Sequence, residues 1–382
     1  MKRLYFDHGA TTPLRPEVRK AIIDAFDHFG NPSSLHDEGT FSNEMLELAR
    51  NQVARAIGAS PREIIFTSSG TEANNIAIIG TARRLQKQGN HIITSQVEHP
   101  SVLDTCRSLE REGFDLTILP VDRDGAVDPE DVKKAITPKT ILVSIMAANN
   151  EVGTLMPIKE IASLLQEQNI RFHTDAIQYF GKKPLDVNQL GVDFLSISGH
   201  KVNALKGIGA LYIRKGVRID PILFGGGQER GLRPATHNMT GIISLGVAAE
   251  LAAKEVPERE ERLTQLRNHL WEQIQQRIPD VALNGHPEKR LPNNLNLRFD
   301  RVEGQAILLE LSRAGIAVSS GSACSAGKGD PSHVLKAMGQ PDETAHQSLR
   351  ITLGCETTLE MIEQLVVQLE LVLKELRRRI QS

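Results

Sequence analysis

The 382-residue chain carries a formal net charge of −2, with 40% apolar and 24% charged residues. This is the profile of a soluble globular protein too long for one ordinary core, and it offers no global basic field to recruit nucleic acid or an acidic membrane. An acidic Asp7 precedes any apolar leader, no apolar run is long enough to span a bilayer, and Cys106, Cys324 and Cys355 have neither disulfide nor zinc spacing, so a cytoplasmic protein is expected.

Between about residues 60 and 215, short apolar runs alternate with helical patterns. The runs 64–67, 91–94, 116–119, 141–145, 170–173, 194–197 and 210–213 read as seven buried strands, with helical stretches such as 73–88 and 158–168 between them. The alternation predicts an α/β domain with a mainly parallel sheet and helices on both faces. The C-terminal third changes character: a helix near 256–277, a strand at 294–299, a helix at 304–314, and strands at 316–319 and 348–352. The last helix sets Leu359, Ile362, Leu365, Val366, Leu369, Val372, Leu373 and Leu376 on one stripe. The expected organisation is a large domain over 16–259 and a smaller α+β domain made of 1–15 and 260–382.

In parallel sheets, ligands bind beyond the C-terminal ends of the strands. Ser69, Gly70 and Thr71 follow one strand and open a helix, which suits a phosphate at a helix N-terminus as well as an ordinary cap. Asp175 and Gln178 follow the run 170–173, where a carboxylate could bind a metal, cap a helix or pair with a cationic ring nitrogen. Ser198, His200 and Lys201 follow another strand, and lysine forms Schiff bases with carbonyl cofactors. A phosphate turn, a strand-end Asp and a later strand-end Lys together meet the needs of pyridoxal phosphate. His99 could stack on a flat cofactor and move protons. Asn149 and Asn150 offer amides to a ring hydroxyl or a carboxylate. Arg350 could clamp an α-carboxylate, or could face water from an edge strand. Cys324 lies in a Gly/Ser-rich stretch with no apolar neighbours, a setting for a reactive thiol rather than a structural one, whereas Cys106 and Cys355 read as bystanders.

With these motifs the chain resembles the class V (fold type I) pyridoxal-phosphate enzymes, and within them the NifS/IscS-type cysteine desulfurases. The likeness runs nearly end to end, through Ala10–Thr11–Thr12–Pro13, Gly30–Asn31–Pro32–Ser33–Ser34 with His36, residues 69–75, Glu98–His99–Pro100, Asn149–Gly153, Ser198–Lys201 and Gly225–Gly231. Its most specific piece is Ser319–Cys324 followed by Pro331–Leu335. The resemblance implies that Lys201 bears the Schiff base, Asp175 pairs with the pyridine nitrogen, and Gln178 and Asn150 contact the ring oxygen side. Gly70, Thr71, Ser198 and His200 would hold the phosphate, with Thr236 reaching it from a second subunit of a homodimer. His99 would stack on the ring and shuttle protons, Arg350 and Asn150 would bind the carboxylate of L-cysteine, and Cys324 would accept its sulfur as a persulfide. The implied recipient is a sulfur-acceptor or iron–sulfur scaffold protein, or tRNA thiolation. Selenocysteine lyase, cystine C–S lyase and a non-catalytic sulfur-transfer scaffold are the alternatives. Departures from the family pattern are Val202–Lys206, where an aromatic residue and Gly-Pro are usual, Ala235–Thr236–His237 in place of Gly-Thr-Glu, Ala147–Ala148, and His8–Gly9.

Overall fold

The computed structural model describes residues 3–320 and 330–381. In chain order the strands are β1 (Leu4–Tyr5), β2 (Ile64–Thr67), β3 (His91–Ser95), β4 (Asp115–Leu119), β5 (Thr140–Ser144), β6 (Arg171–Asp175), β7 (Phe194–Ser198), β8 (Gly209–Ile213), β9 (Val281–Asn284), β10 (Asn294–Phe299), β11 (Ile316–Ala317) and β12 (Ser348–Thr352). Seven of them form one sheet in the order β2-β8-β7-β6-β5-β3-β4. The strands from β3 to β7 pair in parallel, while β8 runs antiparallel to both β7 and β2. The reversal follows from chain length. The link from Gly199 to Ile208 is too short for the crossover that a parallel neighbour needs.

The apolar runs become strands buried on both faces, as a helix-covered parallel sheet requires. The run at 116–119 differs. It lies at the sheet edge in β4, where Asp115 is exposed and only Leu119 is buried. The helix Gly70–Leu85 starts where the Ser69 hydroxyl accepts the Glu72 N–H at 3.1 Å, and it buries Ala73, Asn74, Ile76 and Ala77 toward the sheet.

Beyond residue 238 one long helix, Met239–Arg277, serves two cores. Ile242, Leu245, Ala248 and Ala249 pack with the large sheet, while Leu263, Leu266, Leu270 and Ile274 pack with β10, β12 and the final helix. The sequence pattern placed this helix near 256–277, but it starts seventeen residues earlier, at Met239, and runs through Pro257. The proline removes one backbone donor, and burial on both sides carries the helix through it. β9, β10 and β12 form an antiparallel sheet, and β1 pairs in parallel with β11, so the first residues of the chain join its last third. Residues 334–345 return to the large core through Val334, Leu335, Met338 and Ala345. The helix Leu359–Gln381 buries Ile362, Leu365, Val366, Leu369 and Leu373, each burial contributing about 1.5–3 kcal/mol. Leu359, expected on that stripe, is exposed at the helix start. Among the described residues no helix is long and apolar enough to cross a membrane.

The segment from Gly225 to His237 is held by charge. Arg50 grips Glu229 with two 2.8 Å hydrogen bonds, and Glu229 also accepts the Phe66 N–H and meets the His237 ring at 2.9 Å. Ala235, where the resemblance expects glycine, has φ of +130°, a conformation that strains a residue with a Cβ. Ala235→Gly is therefore expected to raise stability by about 1 kcal/mol, measurable by denaturant unfolding.

Candidate active site

The C-terminal ends of β3, β6 and β7 bring His99, Asp175 and Lys201 together, close enough that the charges of Asp175 and Lys201 both act on the His99 ring. Lys201 ends a short turn, Gly199–Lys201, that follows β7 directly. Its Nζ donates to the carbonyl oxygens of Gly9 and Ala10, both at 2.6 Å, so the N-terminal arm closes over the site. The unusual run after Lys201 makes that arm fit. Val202 N–H and Ala204 N–H both return to the Gly199 carbonyl, and Asn203 adopts φ of +68°. Asn203 then donates its N–H to Thr12 Oγ1 and its amide to the Pro13 carbonyl.

Asp175 is the last residue of β6 and is buried. Its oxygens accept from Asn74 Nδ2 at 2.7 Å and from the Ile177 N–H at 2.9 Å, both neutral donors. Burial raises its pKa above the usual carboxylate range, opposed by the His99 and Lys201 charges. His99 caps the helix Pro100–Arg111, its Nδ1 meeting the Ser101 N–H at 3.1 Å and the Ser101 hydroxyl at 2.8 Å. Burial lowers the His99 pKa, and the Lys201 charge adds to that. His200, lowered to about 4 by burial and then by Lys201, faces Thr11 Oγ1 at 3.3 Å.

Gln178 donates its amide to the same Gly9 carbonyl that Lys201 uses, at 2.8 Å. Its Oε1 accepts from Lys182, a buried lysine whose pKa falls to about 7 through burial and the nearby Lys201 charge. At the opposite side, buried Arg350 donates to the Asn150 carbonyl at 2.9 Å and to Asp7 Oδ1 at 3.0 Å, while its Nε has no partner among the described residues. It does not face water from an edge: β12 runs beside β10, and Ser319 bridges its other side. The loop Asn149–Gly153 is pinned from below by Arg290, Asn294, Asn296 and Ser332.

Ser198 ends β7 beside Gly70. A Cβ added to Gly70 would lie 2.1 Å from Ile177 Cδ1 and 3.3 Å from Ser198 Cβ, so glycine lets the turn at 69–71 lie close against both, a cradle at the helix start. With Thr71 exposed at the first turn of a 16-residue helix, the cradle suits a phosphate. The donor set beyond it is an amine, a buried carboxylate with only neutral hydrogen-bonding partners, and an imidazole. These residues fit pyridoxal phosphate. Thr236 stays exposed, between Ala235 and His237, which bond to Gln228 and Glu229. Cys324 lies outside the described residues. Cys106 is buried in a helix with its thiol pushed up to about 12, and Cys355 is half-buried with Sγ 3.8 Å from Asn203 Oδ1.

The profile of the family described as aminotransferase class-V matches residues 4–365. The chain belongs to this family. It is 52% identical over 379 residues to a protein of Dictyoglomus turgidum named cysteine desulfurase IscS, covering 99% of this chain and 96% of that one. A solved structure named NifS-like protein superposes with TM-score 0.92 at 37% identity, covering 98% of this chain and all of that one. Another, named SspA in complex with cysteine, superposes with TM-score 0.81 at 37% identity, covering 92% and 98% of the two chains. The mainly parallel seven-stranded sheet is thus the family's fold type I.

Sequence reading missed several residues of the class-V site. Asn74 acts across the fold, and only an amide on a buried, Ala- and Ile-rich helix face hinted at it, while Lys182 is buried four residues from its partner Gln178. Glu98, quoted only as part of a motif, is fully buried beneath the site. Its Oε1 accepts from Ser95 Oγ and the Met146 N–H, and its Oε2 has no partner. Burial raises its pKa to about 8. The unfolded carboxyl ionises as pH passes its ordinary value near 4.5, while the folded one keeps its proton up to about 8, so Glu98 costs stability as pH rises through that window. Glu98→Gln keeps the acceptor and cannot ionise. Its melting temperature is expected to exceed that of wild type by more at pH 8 than at pH 5 in thermal melts; an equal offset at both would show that Glu98 ionises in the folded protein.

Proposed function

We propose that this protein is a pyridoxal-phosphate-dependent cysteine desulfurase, which converts L-cysteine to L-alanine and holds the sulfur as a persulfide on Cys324. The observation that carries the reading is the convergence of Lys201, Asp175 and His99 on one cradle facing Arg350. When bound, the cofactor supplies a carbonyl that takes up amino groups and a ring that accepts electrons. Gly70, Thr71, Ser198 and His200 hold its phosphate, with Thr236 arriving from a second subunit. Asp175 keeps a proton on the ring nitrogen, Gln178 and Asn150 contact the ring oxygen side, and His99 packs on the ring. Arg350 and Asn150 bind the substrate carboxylate, which places the α-proton within reach of the Lys201 amine. Cys324 Sγ attacks the substrate sulfur: a sulfur–sulfur bond forms, the carbon–sulfur bond breaks, and the carbon skeleton leaves as alanine after protonation.

The two apolar clusters support 16–259 as the cofactor-binding domain and 1–15 with 260–382 as the smaller one, apart from residues 334–345, which pack in the large core. Exposed Phe26, Phe29, Leu35, Phe41, Leu223 and Phe224 support a homodimer, since a second copy would cover large apolar side chains that one chain leaves in water. A cytoplasmic enzyme passing sulfur to an acceptor or scaffold protein for iron–sulfur assembly or tRNA thiolation fits this chemistry.

The test is incubation with L-cysteine and a thiol reductant, measuring sulfide and alanine. Equal yields are expected from wild type. Cys324→Ala is expected to lose at least about a hundredfold. Full activity in that variant would overturn the persulfide route and favour direct C–S lysis.

A further inference from the structure

Two side chains, Asn74 and Ser101, link Asp175 to His99, the two groups expected to touch the cofactor ring. Asn74 is fully buried in the helix Gly70–Leu85, and its Nδ2 donates to Asp175 Oδ2 at 2.7 Å and to Ser101 Oγ at 2.9 Å. Ser101 Oγ in turn meets His99 Nδ1 at 2.8 Å, and the Ser101 N–H reaches the same nitrogen at 3.1 Å. The proton positions follow from donors and acceptors. The Asp175 carboxylate admits only the N–H side of the amide, so Asn74 Nδ2 faces it, and Asn74 Oδ1 is left buried with no partner among the described residues. Ser101 Oγ accepts one amide hydrogen, which leaves its own proton to point at His99 Nδ1. That nitrogen already takes a backbone N–H, which cannot turn away. A neutral ring must then carry its hydrogen on Nε2.

We propose that Asn74 and Ser101 are positioning residues that lock His99 as the Nε2–H tautomer and join it to Asp175, so that His99 acts as a hydrogen-bond donor and not as a general base. Its basic lone pair is spent on Ser101. To present a lone pair at Nε2, the ring would need a hydrogen on Nδ1, directly against the Ser101 N–H. Resting on the desulfurase reading, this assigns removal of the α-proton to the Lys201 amine and leaves His99 to steady ring and substrate through Nε2–H. The charged and titratable groups acting on the ring are Asp175, Lys201, His333 and Asp104; the first and last favour its protonation, and the other two oppose it.

The experiment is nitrogen-15 NMR of histidine-labelled full-length protein, with cofactor bound and after its removal, with the His99 signal assigned through His99→Gln. Wild type is expected to show an unprotonated Nδ1 and a protonated Nε2 in both forms. In Ser101→Ala the titration midpoint of His99 is expected to rise by about one pH unit, a tenfold gain in proton affinity, because a hydrogen bond to the neutral form is lost. Ser101→Thr, which keeps the hydroxyl, is expected to restore it. Asn74→Ala is expected to lower kcat about tenfold with KM for L-cysteine changed less than twofold. An Nδ1–H tautomer in wild type overturns the proposal even if no variant folds, as does a Ser101→Ala titration identical to wild type. The expected spectra without any turnover of L-cysteine would instead sink the desulfurase reading and leave the lock in place.

Discussion

Lys201→Ala is expected to reduce sulfide and alanine release from L-cysteine by at least about a thousandfold, the largest loss of any substitution at this site. In the proposed reaction the residue has two tasks, anchoring the cofactor through its amine and taking the α-proton, and alanine would perform neither. The rest of the site is built to aim that amine. The turn after β7 places it, and the Gly9 and Ala10 carbonyls receive it at 2.6 Å each. Lys182 is no substitute, because its amine is committed to the Gln178 carbonyl at 2.9 Å and to Gln178 Oε1 at 3.1 Å. The variant is also expected to lose the absorbance of covalently held cofactor while keeping the fold, since Lys201 is only partly buried. Activity above a tenth of wild type would remove Lys201 from the chemistry.

How far such a site can be read from sequence depends on the range of the forces that make it. The strands of the large sheet were legible because each contains a short apolar run, and β3, β6 and β7 lead into chemically informative residues that a parallel sheet presents on one edge. Lys201, Asp175 and His99 needed only that rule. Asn74 did not follow from it, since its two acceptors lie 27 and 101 residues away and nothing local distinguishes it from a buried helix amide. Asp7 was invisible for the same reason, meeting Arg350 across 343 residues. The helix Met239–Arg277 was read only from about 256, because its first half packs in the large core and its second in the smaller one, so no single apolar stripe runs its whole length. The edge strand β4 matched the pattern of its buried neighbours, because solvent exposure is a property of sheet order, and that order is set by crossovers rather than by the strand's own residues.

Asp175→Asn is the second large effect, expected to lower kcat by about 10²–10³-fold with KM for L-cysteine nearly unchanged. The structure places a carboxylate where burial disfavours its charge and gives it only the Asn74 amide and the Ile177 N–H as hydrogen-bond donors. A protonated ring nitrogen supplies the cation that such a carboxylate lacks, so binding and ionisation favour each other. Asparagine fills the same volume and holds no negative charge. The ring nitrogen then loses the group that keeps its proton, and the ring draws electrons from the α-carbon less strongly. Asn74 worsens the loss, since its amide hydrogen now meets an amide in place of a carboxylate and has to compete for the single oxygen. Substrate binding is spared because Arg350 is held independently, by Asp7 and the Asn150 carbonyl. Steady-state kinetics and cofactor absorbance, measured together, decide the matter. A variant within fivefold of wild-type kcat would mean that the ring works without its proton and that Asp175 serves the fold alone.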